Sequence, residues 1–119
     1  MAIVNNILGQ EDTIRHKKGT QFDKTFLLST KAIPTGIKTS FPLTGYDGVI
    51  RIKQKIDGVD LYSKTSDDDE LIFSGNSFQW VDKIDISKLG DLYFELVITN
   101  KTDAEEIIRI WYGTFINQL

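Results

Sequence analysis

The stretch Leu92-Tyr93-Phe94-Glu95-Leu96-Val97-Ile98 decides the fold class, because every second side chain in it is large and apolar. This is the period of a β-strand that buries one of its two faces. Residues 49–55 and 108–116 show the same alternation. The chain therefore contains at least three strands of a β-rich domain. The apolar set of the deciding stretch is Leu92, Phe94, Leu96 and Ile98.

Turn residues divide the middle of the chain into two hairpins. Asp57-Gly58 predicts a turn between residues 46–56 and a return strand over 59–64. Ser74-Gly75-Asn76 predicts a second hairpin, which joins residues 71–73 to residues 77–81. The side chains expected to face inward from the first of these strands are Tyr46, Ile50, Ile52 and Ile56.

The remaining segments complete an all-β pattern. Residues 20–29 read as a strand, and Lys24 on its apolar face indicates either a bulge or an edge position. Residues 33–42 read as a loop, and residues 85–90 as a compact crossover with room for one helical turn. About seven strands without long helical periodicity predict an antiparallel β-sandwich over residues 19–119.

Residues 1–18 are predicted to form an extended N-terminal arm outside the sandwich. Apolar residues near its start precede the basic cluster Arg15-His16-Lys17-Lys18. Ordering an isolated arm costs about 1–2 kcal/mol per residue, so we expect it to dock along a neighbouring subunit. The apolar residues near its start that would make this contact are Ile3, Val4, Ile7 and Leu8.

Composition excludes several classes of protein. The 119 residues are 40% hydrophobic and 26% charged, as in a folded domain. The absence of cysteine excludes disulfides, zinc–thiolate sites and thiol catalysis. A net charge of −3 gives no overall attraction to nucleic acid or to an anionic membrane. No signal peptide or spanning segment is recognisable, so synthesis in a cytoplasm and no membrane partner are expected.

The last strand is apolar on both faces, although a two-layer sandwich buries only one face of each sheet. The second face is therefore predicted to contact another chain or the arm. One face contains Ile108, Ile110, Tyr112 and Ile116, and the other contains Ile107, Trp111 and Phe115. The interface candidates of the whole chain are Ile3, Val4, Ile7, Leu8, Tyr93, Trp111 and Phe115.

Candidate chemical sites are few. His16 is the only histidine, and in an arm it is expected to be solvated and not catalytic. Four successive acidic residues, 67–70, attract calcium in some proteins, but neighbouring carboxylates in extended backbone diverge, which favours a solvated loop. Residues 15–18 neutralise too few phosphates for strong nucleic-acid binding, and docking on an acidic neighbour is the alternative. No catalytic residue, metal ligand or cofactor site is predicted.

Aromatic residues give an alternative function. Trp80, Tyr93, Trp111 and Tyr112 suit a sugar-stacking platform, and Tyr93 and Trp111 are expected to face away from the core. Such residues serve equally as cross-strand pairs or interface residues. A carbohydrate-binding module that recognises a host surface glycan is therefore the alternative to a structural role.

The order of these segments resembles the immunoglobulin-like domains of tailed bacteriophages. The resemblance covers about residues 19–117. Within this family, the chain is similar in particular to the N-terminal domain of baseplate upper proteins and to related tail and head-attachment modules. The matching segments are Leu43-Thr44-Gly45-Tyr46 before a basic alternating strand, Asp57-Gly58, Leu89-Gly90-Asp91-Leu92-Tyr93-Phe94-Glu95-Leu96, and a last strand with Gly113-Thr114-Phe115.

This resemblance implies an immunoglobulin-like sandwich that acts without catalysis. The expected role is that of a virion structural protein of the tail, baseplate or capsid exterior. Its partners would be other virion proteins and copies of itself in a homo-oligomer or symmetric assembly, without cofactors.

Overall fold

The computed structural model describes residues 10–31, 38–40 and 42–119. These residues contain no helix, and thus none long and apolar enough to cross a membrane. They form ten strands: β1 (Gln10–Lys17), β2 (Thr20–Leu27), β3 (Ser29–Lys31), β4 (Lys38–Ser40), β5 (Tyr46–Lys53), β6 (Asp60–Thr65), β7 (Leu71–Ser74), β8 (Ser77–Ile84), β9 (Gly90–Asn100) and β10 (Ile107–Gln118).

Eight of the strands form two sheets of a β-sandwich. The five-stranded sheet has the order β1-β10-β9-β5-β6, and the three-stranded sheet has the order β2-β8-β7. Strands β3 and β4 form a separate antiparallel pair. The predicted all-β sandwich is confirmed. The purely antiparallel arrangement is wrong at one place, because β1 pairs with β10 in parallel.

Two tryptophans form the centre of the core. Trp80 on β8 and Trp111 on β10 are 0% and 2% exposed, and their ring centroids lie 5.9 Å apart at 81°. Phe22 on β2 contacts Trp80, and Phe26 on the same strand contacts Trp111, at centroid distances of 4.6 and 4.7 Å. Aromatic side chains from both sheets therefore interlock across the sandwich.

Strand β9 follows its predicted alternation throughout. All four of its apolar inward residues, from Leu92 to Ile98, are buried. On β5, Ile50 and Ile52 are fully buried as expected, but Ile56 is 62% exposed. The expectation for Ile56 is wrong because β5 ends at Lys53, where its pairing with β6 is irregular, and Ile56 belongs to the turn that follows.

Strand β10 contains a β-bulge that explains why both of its faces looked apolar. Its register with β9 shifts between Arg109 and Trp111. A bulge reverses the direction of every side chain that follows it. Ile108 and Ile110 therefore face the core before the shift, and Trp111 and Phe115 face it afterwards. One face of β10 is buried along its whole length and includes Trp111 and Phe115, so these two residues do not form a second apolar face, whereas Ile107 is exposed.

Part of the predicted arm belongs to the sandwich. Gln10–Lys17 is strand β1 at the edge of the five-stranded sheet, and Ile14 on it is buried. Close approach of β1 requires Gly113, whose φ is +147° and whose Cβ, if present, would lie 1.9 Å from the backbone oxygen of Asp12. Residues 1–9, which include Ile3, Val4, Ile7 and Leu8, lie outside the described residues.

Turns and edges otherwise follow the sequence. Both predicted hairpins form. Lys24 lies on β2, which is an edge strand with regular pairing, so the edge position and not the bulge is correct. Residues 85–90 contain no helical turn. Residues 38–40 of the predicted 33–42 loop form β4, while 33–37 and 41 lie outside the described residues. Asn117, which the sequence did not single out, holds the crossover through hydrogen bonds from its Nδ2 to the carbonyls of Ile86 (2.7 Å) and Lys88 (2.8 Å).

Candidate interaction surfaces

The interface candidates of the last strand lie inside the molecule. Trp111 and Phe115 are 2% and 0% exposed, so neither ring is accessible to another chain. Tyr93 does face outward, as the sequence predicts, but it is only 9% exposed. The corrections for Trp111 and Phe115 follow from the bulge in β10, which a period-2 pattern cannot reveal.

The two tryptophans of the alternative sugar-stacking platform are not accessible. Trp80 and Trp111 are core residues, and the Nε1 atom of Trp80 donates a hydrogen bond of 3.1 Å to the hydroxyl of Tyr62. The Tyr62 hydroxyl in turn donates to Asp82 at 2.6 Å, so the edge strand β6 is joined to β8. Burial, together with this hydrogen bond to Asp82, raises the pKa of Tyr62 above its ordinary value. Trp80 and Trp111 thus stabilise the sandwich and offer no face to a sugar.

His16 is buried, contrary to the expectation that it is solvated. It is 5% exposed, and its Nε2 atom lies 3.2 Å from the carbonyl oxygen of Ile84. Its ring also lies against Phe22 and Phe115, at centroid distances of 6.1 and 5.6 Å. The spacing of Ile14 and His16 was the sequence signal for this position, because residues i and i+2 of a strand share a face.

The basic cluster of residues 15–18 is divided by β1. Arg15 and Lys17 are exposed, whereas His16 between them faces the core. Lys18 forms an ion pair of 2.7 Å with Asp85, and this hydrogen-bonded contact holds the pKa of the Asp85 carboxyl below its usual range. The cluster therefore does not form one continuous basic surface.

The acidic residues 67–70 form a turn between β6 and β7. Asp67, Asp68 and Asp69 are exposed, as predicted for a solvated loop. Asp68 accepts a hydrogen bond of 2.7 Å from the backbone nitrogen of Thr65, and Glu70 lies 3.5 Å from Lys64. In the described part of the chain, no group of three or more His, Cys, Asp or Glu side chains is arranged to hold a metal ion.

The outer face of the five-stranded sheet carries an ion-pair network. Arg51 on β5 lies 3.4 Å from Asp60 and 3.9 Å from Glu95. Lys53 lies 3.9 Å from Asp60 and 4.0 Å from Glu95. Two cations thus share two carboxylates across three neighbouring strands. Sequence alternation placed Arg51 and Lys53 on this face but gave no sign of their partners.

Beside this network, the outer face forms an open concavity of about 440 Å³. Arg109 is one of its lining residues. Its Nη1 atom donates a hydrogen bond of 2.7 Å to the Tyr93 hydroxyl, and its guanidinium lies 3.7 Å from the centre of the Tyr112 ring. Burial raises the pKa of Tyr93, although Arg109 opposes this shift. The hairpin residues 54–56 form one wall, and Glu11 and Asp91 provide carboxylates. We call this feature the arginine concavity.

A second surface lies at the adjacent end of the sandwich. Lys53 pairs with Tyr93, so the tip of the β5–β6 hairpin lies level with the start of β9. Three exposed apolar residues occur there: Ile56 and Val59 on the hairpin, 62% and 70% exposed, and Leu89 before β9, 43% exposed. Leu119 follows β10 at the same end, because Asn117 pairs with Gly90. We call Ile56, Val59, Leu89 and Leu119 the hairpin-end group.

Comparison of the chain with protein-family models and with curated protein sequences finds no match.

Proposed function

We propose that this protein is a non-enzymatic structural component of a bacteriophage virion, in the tail, baseplate or capsid exterior, and that it acts by docking on other virion proteins or on copies of itself. The observation that carries the docking role is the hairpin-end group. Single exposed apolar residues are normal, but four of them at one end of the sandwich favour a contact surface.

The hairpin-end group has the form of a docking surface. Exposed polar residues surround it on the same two segments, namely Gln54, Lys55, Asp57, Ser87 and Lys88. An apolar centre with a polar rim is the usual organisation of a protein interface. Each Val, Leu or Ile side chain that becomes fully buried contributes about 1.5–3 kcal/mol. The two hydrogen bonds from Asn117 fix the crossover that presents Leu89.

The strand order supports the immunoglobulin-like assignment within this proposal. Immunoglobulin-like sandwiches have the strands B-E-D in one sheet and G-F-C in the other, with C′ added in variable-type domains. Strands β2-β8-β7 fit B-E-D, and β10-β9-β5-β6 fit G-F-C-C′ in the same chain order. Strand β1 then takes the place of the first strand, beside G. The proposed link to phage virions depends on this order together with the segment pattern in the sequence.

The direct test of the virion role is mass spectrometry of purified particles of the phage or prophage that encodes the chain. The proposal expects its peptides at a stoichiometry comparable with that of tail or capsid proteins. Intact particles that lack the chain would refute a virion role while leaving the docking surface open to a separate test.

The docking surface is tested by light-scattering mass and by binding of the purified chain to disrupted particles. Val59→Asp and Leu89→Asp are expected to abolish association, because a charge at the apolar centre is costly to bury. Ile72→Asp is the matched control, since Ile72 is also 43% exposed but lies on β7 of the other sheet. Association that survives both changes, or fails equally in the control, would assign docking to another surface.

The alternative of a glycan-binding module with a stacked aromatic platform is not adopted. It requires exposed rings, and both tryptophans of the predicted platform are buried.

A further inference from the structure

We propose that the arginine concavity binds a single carboxylate on a hydroxyl-rich ligand, that is, an acidic saccharide of the uronic acid type. This inference goes beyond the proposed structural role and does not depend on it. It rests on the way Arg109 is held, on the charges around it and on the size of the concavity.

Arg109 is held in place by two tyrosine side chains and has no direct contact with a carboxylate among the described residues. Within the described residues its guanidinium donates one hydrogen bond, to Tyr93, and lies 3.7 Å from the centre of the Tyr112 ring. Among the described residues, no Asp or Glu oxygen lies within 4.0 Å of it, whereas Arg51 and Lys53 on the same face each have two ion-pair partners. The side chain is exposed, so its remaining donors are accessible. A guanidinium fixed in this way is well suited to bind a carboxylate with two parallel hydrogen bonds.

The other charged groups select the kind of anion. Lys55 adds a second cation, and Glu11 and Asp91 add two carboxylates, so the charges of the lining sum to zero. None of these three has an ion pair within the described part of the chain. The two carboxylates repel a polyanion such as an acidic peptide, but they accept hydrogen bonds from hydroxyl groups. A ligand with one carboxylate and several hydroxyls satisfies both sets of groups.

The shape agrees with a ligand of that size. A volume of about 440 Å³ lies within the usual range of small-molecule sites, roughly 300–1,000 Å³. The exposed side chain of Ile56 forms an apolar part of the wall, against which the C–H face of a sugar ring fits. The concavity thus combines a carboxylate receptor, hydroxyl acceptors and an apolar wall.

The test is isothermal titration calorimetry of the full chain with methyl β-glucuronide and methyl β-glucoside. These probes share a pyranose ring and differ in the carboxylate. We expect the glucuronide to bind with a Kd of about 1 mM or tighter, which corresponds to weak single-site recognition. The glucoside is expected to bind at least about tenfold more weakly, since it cannot pair with the guanidinium.

Matched variants locate the site. Arg109→Gln is expected to weaken glucuronide binding by about tenfold or more, and Arg109→Lys by less, because it keeps the charge and loses the paired donors. Arg51→Gln is the control, since Arg51 lies on the same face and outside the concavity; binding is expected to change less than about twofold. Near-ultraviolet circular dichroism checks that each variant keeps its aromatic packing.

Several results would overturn the inference. The first is that no glucuronide binds at about 20 mM, some twentyfold above the expected Kd. The second is that the two glycosides bind equally, and the third is that Arg109→Gln leaves glucuronide binding unchanged. Tighter binding of a short poly-glutamate peptide than of the glucuronide would assign the concavity to an acidic protein segment instead. The hairpin-end group shares Ile56 with the concavity, but its own test uses Val59 and Leu89, which do not line the concavity, so the two proposals can fail separately.

Discussion

Strands β9 and β10 are neighbours in one sheet, are both rich in apolar residues, and yet differ in what their sequences reveal. On β9 the alternation is continuous, and each inward residue is where the pattern places it. On β10 the register shifts between Arg109 and Trp111, and the two halves of the strand have opposite phases. Alternation therefore reports burial only as long as the pairing of the strand is regular.

Trp111→Ala is expected to have the largest effect on stability. The ring lies in the centre of the core, so its removal should lower the free energy of unfolding by about 3–5 kcal/mol. Tyr112→Ala is the matched change. Without the bulge, alternation from Ile108 and Ile110 would place Tyr112 in the core and Trp111 on the outer face. It should cost only about 1 kcal/mol, mainly through the lost contact with Arg109. Denaturant titration of both variants gives the comparison, and equal losses would contradict the bulge.

Gly113→Ala is expected to separate β10 from β1 while sparing the β9 side. An added Cβ would meet the backbone of Asp12, and β1 would have to move away with Ile14. Strain at this backbone angle and the lost burial predict a cost of about 1.5–3 kcal/mol. Hydrogen exchange should accelerate in residues 10–17 before it does in β9. Thr114→Ala, the adjacent control, should leave exchange in both strands unchanged; uniform protection in Gly113→Ala would show that β1 tolerates the methyl group.

The contact between Tyr46 on β5 and Glu106 in the turn before β10 predicts that stability depends on pH. Burial, together with the hydrogen bond to Glu106, raises the pKa of Tyr46 to about 12, above the ordinary value of 10.0. The folded state therefore holds this proton more tightly than the unfolded state. The resulting stabilisation is complete below about pH 10 and decreases as the pH rises toward 12.

Tyr46→Phe isolates that contribution. At neutral pH the free energy of unfolding of the variant should be about 1 kcal/mol lower than that of the wild type, because the hydrogen bond is missing. Between pH 10 and 12 the stability of the variant should decrease less than that of the wild type, because the variant has no hydroxyl proton to lose. Denaturation midpoints measured across this range in both proteins provide the check. Parallel curves would mean that Tyr46 does not contribute to the alkaline loss of stability.

Glu95→Gln, on the outer face of β9, should have the smallest effect. Its carboxylate is shared by Arg51 and Lys53 at 3.9 and 4.0 Å, and such partly solvated pairs contribute about 0–1 kcal/mol. The loss should decrease further in about 0.5 M salt, where the screening length is only a few ångströms. A loss comparable with that of Trp111→Ala would show that the network, and not the core, limits stability.

The sequence predicted those parts of the fold that depend on neighbours along the chain. The alternation of β9, the hairpins at Asp57-Gly58 and Ser74-Gly75-Asn76, and the edge position of Lys24 all follow from local chemistry. The parallel pairing of β1 with β10 depends on residues about a hundred positions apart, and no local pattern specifies it. The division of residues 15–18 between surface and core followed from that pairing.

The candidate surfaces were less predictable than the fold. The sequence did not single out Arg109, because its role depends on Tyr93 from the neighbouring strand and on the bulge beside it. The hairpin-end group appears only when the tip of one hairpin and the crossover before β9 are placed at the same end. Both surfaces depend on the register of strands in the sheet, and local sequence patterns do not predict that register.

The position of β10 between β1 and β9 has a consequence for synthesis. On a ribosome, residues 107–118 are made after every other described strand, yet they form an inner strand of the larger sheet. Until they emerge, β1 has no partner and one edge of β9 is open. Closure of the sheet therefore waits until residues 107–118 have been made, and it joins segments far apart in the chain. Such long-range pairing places folding in the slower range of roughly milliseconds to seconds. During that interval the growing chain exposes strand edges that chaperones recognise.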